Sequence, residues 1–284
     1  MIRKIVLPVR GDGKGDNVFA HAICLAKRYQ AHVVVTHCRP RAEDLMPFGV
    51  PISAALKKLV VEQTQGVADQ VEDGMRDEVE KLAHELGVTF TDAPVANKAS
   101  VSWLEEPGRQ VDVIKRHGRV ADLICVAKPD ISRNLGSNTM KAALFNTGRP
   151  VMMCPPTEHP VVNLCETVGI AWNGSAHASR AVACTLGVIE NAKKVVVFSS
   201  GVQIAGASAE GLAEYLKMRD VNVQIEQFEN SKNIATELLE RCEAAQADSM
   251  IMGAYRNSHE AETIMGGTTK DIVDDAEIPI ILVH

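Results

Sequence analysis

The chain has 284 residues, 46% of them hydrophobic and 23% charged, with a formal net charge of −6 and a pI near 5.9. That length suits two domains of about 140 residues, each large enough to bury a core without staples. The acidic balance and the absence of any Lys/Arg-rich run argue against a nucleic-acid binder, and no apolar run approaches the roughly 20 residues of a membrane span. The low aromatic content, 4%, leans towards α/β rather than an all-β sandwich. The seven cysteines (Cys24, Cys38, Cys125, Cys154, Cys165, Cys184, Cys242) are odd in number and form no C-x-x-C pair. They read as buried, reduced thiols of a cytoplasmic protein. Met1 leads straight into a strand, which predicts no signal peptide.

Residues 2–9 form the first expected strand, with Pro8 marking an irregular end. A glycine-rich turn, 10–16, precedes an amphipathic helix over 17–29, and residues 31–37 give a β-branched strand of buried parallel type. Residues 39–56 read as a proline-rich loop, and 57–86 as one or two helices closed by Gly87. These make residues 52–86 a helical insert. A third strand is expected at Val88–Val95, a helix at 106–117, a strand at 122–127, a helix near 139–145 and a strand at 150–154. Three prolines in Pro155–Pro160 make a stiff linker. The alternation then restarts, with strands at 166–172, 194–199, 221–228, 248–253 and 279–284. Helices are expected at 178–190, 208–220, 232–245 and 270–276.

The restart is an internal repeat. A shift of 162 residues lays Val6-Leu-Pro-Val on Val168-Gly-Ile-Ala, and residues 32–37 on 194–199. A shift of 126 lays residues 123–126 on 249–252. Five strand–helix alternations in each half predict an α/β chain of two tandem five-stranded parallel-sheet domains, 1–157 and 161–284. Ligands of such sheets bind beyond the carboxyl ends of the strands, where the strand order reverses.

The stretch Met252–Thr269 is the one loop with the makings of a phosphate cradle. Gly253 ends a strand, a polar loop follows, and Gly266-Gly267-Thr268-Thr269 opens a helix whose first N–H groups and dipole favour an anion. Either threonine can cap that helix. His259 and Glu260 read as solvated loop residues. There is no HExxH, no metal-spaced Cys/His cluster, no G-x-S-x-G elbow and no Walker motif. The spacing in Gly11-x-Gly13-x-Gly15 is not that of the dinucleotide fingerprint.

These residues carry a resemblance. Trp172-Asn-Gly-Ser, then Gly253-x2-Arg256-x9-Gly266-Gly267, then Pro279-Ile-Ile-Leu-Val-His resemble the universal stress protein superfamily in its tandem two-domain form. Nucleotide-binding members carry G-x2-G-x9-G-[S/T] at that place. Here the nine-residue spacing, Gly253 and Gly266 are kept, but Arg256 replaces the second glycine and Gly267 the Ser/Thr. The first half has Ala127-Lys128-Pro129 instead and no Gly-Gly pair before its last helix, so its site is expected to be degenerate.

The resemblance implies Rossmann-like domains akin to adenine nucleotide alpha-hydrolases. They would be packed as a pseudo-dimer along the last strand of each half, Val151–Cys154 against Ile280–Val283. It implies a stress-response binding or regulatory module, with ATP or AMP in the second half and no metal beyond magnesium with ATP. The residues it points to are Asn173, where relatives carry an aspartate, Ser199 beside the adenine, and Gly253, Arg256, Gly266, Gly267, Thr268 and Thr269 about the phosphates. Arg256 could block the phosphate channel, reach the phosphates bidentately or stay solvated. Slow ATP hydrolysis at the same site and a nucleotide-free interaction scaffold are the competing readings. An unidentified protein partner, and either a monomer with an intrachain pseudo-dimer or a homodimer, complete the expectations.

Overall fold

The structure, a computed structural model, describes residues 1–9, 15–39, 74–130, 132–133, 135–157, 162–201, 206–229, 233–254 and 267–284. Its first half runs β1 (Lys4–Val9), α1 (Gly15–Tyr29), β2 (His32–Arg39), α2 (residues 74–85), β3 (Thr89–Phe90) and β4 (Ser100–Pro107), then α3 (Gln110–Gly118), β5 (Leu123–Ala127), α4 (Ser137–Thr147) and β6 (Val151–Cys154). The second half runs β7 (Thr167–Trp172), α5 (Ala176–Cys184), α6 (Leu186–Ile189), β8 (Lys194–Ser200), α7 (Ala209–Lys217) and β9 (Val223–Phe228), then α8 (Ile234–Ala244), β10 (Ser249–Gly253), α9 (Thr268–Asp275) and β11 (Ile280–Val283).

The eleven strands among the described residues join one sheet in the order β3-β4-β2-β1-β5-β6-β11-β10-β7-β8-β9. Every neighbouring pair is parallel except β6 and β11, which meet antiparallel through Ile280 opposite Met153, Ile281 opposite Met152 and Leu282 opposite Val151. The expected seam is therefore the observed one. Each half winds outward from its first strand and then returns to the other side, so the order reverses between β1 and β5 and between β7 and β10.

Alternation along the strands sorts their side chains onto two faces. Met152, Cys154, Ile281 and Val283 share one buried core with residues of α1 and α5. Val151, Met153, Ile280 and Leu282 share the other with residues of α4 and α9. Both cores run through the seam, so each belongs to a face of the sheet rather than to one half of the chain.

Several expected elements differ. The strand expected at Val88–Val95 is the two-residue edge strand β3, and the strand that pairs with β2 is β4, over residues read as loop and helix start. The helix expected from residue 106 begins at Gln110. Serines hide β4, because they interrupt its apolar run. Ser100 and Ser102 are nonetheless buried. Their hydroxyls flank the His32 ring, Ser100 Oγ 2.8 Å from Nδ1 and Ser102 Oγ 2.9 Å from Nε2. Burial, with Lys4 adding to it, lowers the His32 pKa. A neutral ring donates through one nitrogen and accepts through the other, which satisfies both sides. Pro8 lies in a regular strand: it pairs with Thr36 of β2, while β5 reaches only Ile5 and Val6, so the side lacking an N–H faces no ladder there. The expected helix 178–190 is α5 and α6, parted at Thr185, whose Oγ1 donates back to Ala181 O at 2.6 Å. Within the expected insert 52–86, residues 74–85 are helical, and 52–73 lie outside the described residues.

The repeat has one signature that composition did not reveal. Asp122, just before β5, accepts from the backbone N–H groups of Arg3 and Lys4 at 2.8 and 2.9 Å. Asp248, just before β10, accepts from those of Glu166 and Thr167 at 2.7 and 2.9 Å. One carboxylate thus fixes the register of the returning strand against the first strand of each half. Asp248→Ala leaves two partly buried N–H groups unpaired. Its expected cost is about 2 kcal/mol, read as a lower urea midpoint, and Asp248→Asn is expected to recover part of it.

None of the seven cysteines forms a disulfide. Burial pushes the thiols of Cys165 and Cys242 up to about 12, so both stay protonated. Cys184 is exposed, unlike the buried position expected of it. No described helix is long and apolar enough to cross a membrane.

Candidate functional site

A cavity of about 370 Å³ opens at the carboxyl ends of the second half's strands, beside the reversal between β7 and β10. Its volume falls in the range of small-molecule sites. Trp172 and Asn173 enter it from the end of β7, Phe198 and Ser200 from β8, and Met252, Gly253 and Ala254 from β10. The starts of three helices complete it: Ser175, His177 and Ala178 at α5, Ile234 and Leu238 on α8, and Thr268 and Thr269 at α9.

The α5 end is built by a short polar relay. Asn173 Oδ1 accepts from Ser175 N at 3.2 Å, and Ser175 Oγ, the N-cap of α5, accepts from Ala178 N at 3.2 Å. The first is an Asx turn and the second a helix cap. Gly174 completes the turn at φ +69°. Trp172 Nε1 donates to Ala207 O at 2.9 Å, and Ala207 N donates to Gly174 O at 3.3 Å. The indole is thereby fixed as one wall.

Gly253 is explained by its own neighbours. A Cβ there would lie 2.7 Å from the carbonyl carbon of His177, 2.9 Å from its oxygen and 3.0 Å from Ala178 N. The missing side chain lets the start of α5 pack directly on the end of β10. Gly267 is the N-cap of α9 at φ +74°, a backbone state that glycine adopts freely. It leaves the cap without a side-chain acceptor, so the first N–H groups of α9 look for partners in front of the helix.

Among the residues read from the sequence, the structure brings Asn173, Gly253, Thr268 and Thr269 to the cavity wall, with Gly267 immediately behind. Ser199 is 2% exposed and sits at the alternate register position. Ser200 lines the cavity in its place. Arg256, His259, Glu260 and Gly266 lie outside the described residues. Sequence reasoning missed His177, Phe198, Phe228, Ile234 and Leu238. The 3.6-residue period of α8 carried a signal for the last two, and a strand-final aromatic for Phe228, but nothing local announced His177. Among the described residues no His/Cys/Asp/Glu group is arranged to hold a metal ion.

The corresponding reversal in the first half, between β1 and β5, has a different form. After β5 the backbone of Asp130 and Leu135 exchanges two hydrogen bonds of 2.9 and 3.0 Å. Gly136, at φ +83°, then packs over Pro129, where a Cβ would sit 3.3 Å from Pro129 Cα. Lys128, next to the position matching Gly253, crosses to the other half and donates from Nζ to Ala276 O at 2.9 Å, at the C-terminal end of α9. A cation there meets the negative end of the helix dipole.

The fold is an open, mostly parallel α/β sheet, of the kind whose ligands bind beyond the carboxyl ends of the strands where the strand order reverses. Residues 1–131 match the family model described as universal stress protein family, which bears out the resemblance over that segment. The matched segment is the half without the glycine loop. A universal stress protein from Archaeoglobus fulgidus DSM 4304 has a similar structure, with a TM-score of 0.70 at 14% identity, over 99% of this chain and 95% of that one. A functionally unknown protein from Pseudomonas aeruginosa PAO1 gives a TM-score of 0.55 at 16% identity over 99% and 92% of the two chains. A putative universal stress protein from Pseudomonas aeruginosa UCBPP-PA14 gives 0.55 at 16% over 99% and 93%. These likenesses concern the fold. No curated protein compared with the chain matches it.

Proposed function

We propose that the chain is a cytoplasmic stress-response binding or regulatory module that takes an adenine nucleotide, ATP or AMP, in its second half, with domains at 1–157 and 161–284. The observation that carries this reading is the cavity of about 370 Å³ at the reversal between β7 and β10. Its walls fit such a ligand by their chemistry. Trp172, Phe198, Phe228 and Met252 offer an apolar bed for a flat base. Ser200, Thr268 and Thr269 offer hydroxyls, and the start of α9 offers backbone N–H groups to phosphate. Arg256 and Gly266 belong to the proposed phosphate end. The first half, where the loop after β5 closes on itself, is read as the half without a site.

A second reading, the nucleotide-free scaffold, draws on two specific observations. The Asn173 carboxamide oxygen is engaged by the turn, and Gly253 is accounted for by the packing of α5. Binding separates the two readings. The purified chain is denatured and the released small molecules are resolved by chromatography, and the apo protein is melted with AMP and with ATP plus magnesium. A ligand at 100 times its dissociation constant adds about 2.7 kcal/mol of stability, which for a chain of this size is a rise of several degrees. Leu238→Trp, which narrows the cavity, is expected to abolish the rise. No released nucleotide and no shift at millimolar concentration would leave the scaffold.

A further inference from the structure

The following rests on the nucleotide site just proposed and concerns how that site recognises phosphate. We propose that His177 supplies the side-chain contact to the first phosphate and thereby sets a preference for nucleotides over nucleosides.

The cavity wall mixes two chemistries. Phe198, Phe228, Ile234 and Leu238 line it and have no hydrogen-bonding side-chain atom. His177, Thr268 and Thr269 line it too and bring side-chain groups that bond to a polar ligand. Among the described lining residues, His177 is the one side chain that can carry a charge, and all the others are neutral. An anionic ligand seated there meets an imidazole that can donate an N–H and the positive end of the α9 dipole.

Position supports the role. The close approach of Gly253 sets the His177 backbone directly against the end of β10, the strand whose continuation returns as α9. His177 itself lies in the first turn of α5, two residues after the cap. It therefore stands at one helix start, on the wall of a cavity that the start of α9 also lines. His284 is a neighbour of this ring, centroid to centroid 6.5 Å. His284 packs edge-on against Phe145 of α4, centroid to centroid 4.9 Å. These ring contacts link the start of α5 through the end of β11 to α4 of the first half. An imidazole donates an N–H whether neutral or protonated, so the contact does not depend on one charge state.

The experiment is a calorimetric titration of the full chain with adenosine and with AMP, on wild type, His177→Ala and His177→Gln, each checked for an unchanged melting midpoint. Wild type is expected to bind AMP more tightly than adenosine. In His177→Ala the AMP affinity falls about tenfold, the worth of one hydrogen bond to a charged acceptor, while adenosine affinity changes by about twofold or less. His177→Gln, which keeps an N–H donor, restores most of the AMP preference, a rescue that a merely structural role does not give. If His177→Ala folds poorly, His177→Leu makes the same comparison with a side chain nearer in volume. Equal loss for both ligands, or no loss for either, overturns the role of His177 and leaves the nucleotide site standing. Wild-type protein that binds neither ligand overturns both.

Discussion

Ile281→Asp lowers the stability of the whole chain by about 5 kcal/mol, seen as a large fall in the urea midpoint, while Ile281→Val costs about 1 kcal/mol. Ile281 is fully buried and sits opposite Met152 in the antiparallel pair that joins the halves. Its side chain enters the core shared by α1 and α5. The aspartate removes that apolar burial and leaves a carboxylate without water or a partner, and the two costs add. Both faces of the sheet are packed through the seam, so the loss reaches both halves. A midpoint that moves no more for Ile281→Asp than for Ile281→Val would show that the seam contributes little to folding.

Gly253→Ala is the second large effect, about 2–3 kcal/mol of destabilisation. The added methyl would meet backbone atoms at 2.7–3.0 Å, and backbone cannot rotate away as a flexible side chain can. Either α5 lifts from β10 or the end of β10 bends, and overpacking of this kind typically costs 1–3 kcal/mol. Gly211→Ala in α7 is the matched control. Its Cβ would meet only Ser208 Oγ at 3.5 Å, and alanine in a helix is favoured over glycine by up to about 1 kcal/mol, so that variant is expected to be neutral or slightly more stable. Thermal melts of the two variants side by side decide it. Equal melting points would mean that α5 yields freely.

Much of the fold could be read from residue order. Runs such as Val33–Val35, Val195–Val197 and Ile280–Val283 are apolar at every position because both faces of their strands are covered. The helices between them announce themselves by period, and the repetition of the whole pattern announces two halves. The end strands β6 and β11 read as buried strands because they are apolar throughout, and the resemblance named them as the seam. Strand β4 failed because its buried positions include two serines that become affordable only beside His32, a residue 68 and 70 positions away. No window along the chain contains that pairing.

The candidate site was legible as a place more than as a set of residues. Glycine and threonine in Gly253 and Gly267–Thr269 marked the loop and helix start that the cavity adjoins. The sequence could not say what Gly253 approaches. It is the backbone of α5, more than seventy positions earlier in the chain. Nor could it show that His177 joins the cavity, since a histidine in the first turn of a helix looks like any solvated polar residue.

The sequence by itself determined the alternation of strand and helix and its repetition, because burial on both faces and helical period are properties of neighbouring residues. The tertiary structure decided which side chains meet at the strand ends. Crossover connections bring β7, β8 and β10 side by side from positions far apart in the chain. The walls of the cavity, the clamp of Asp122 and Asp248 on the first strands, and the close fit of Gly253 against α5 exist only after those crossovers are made.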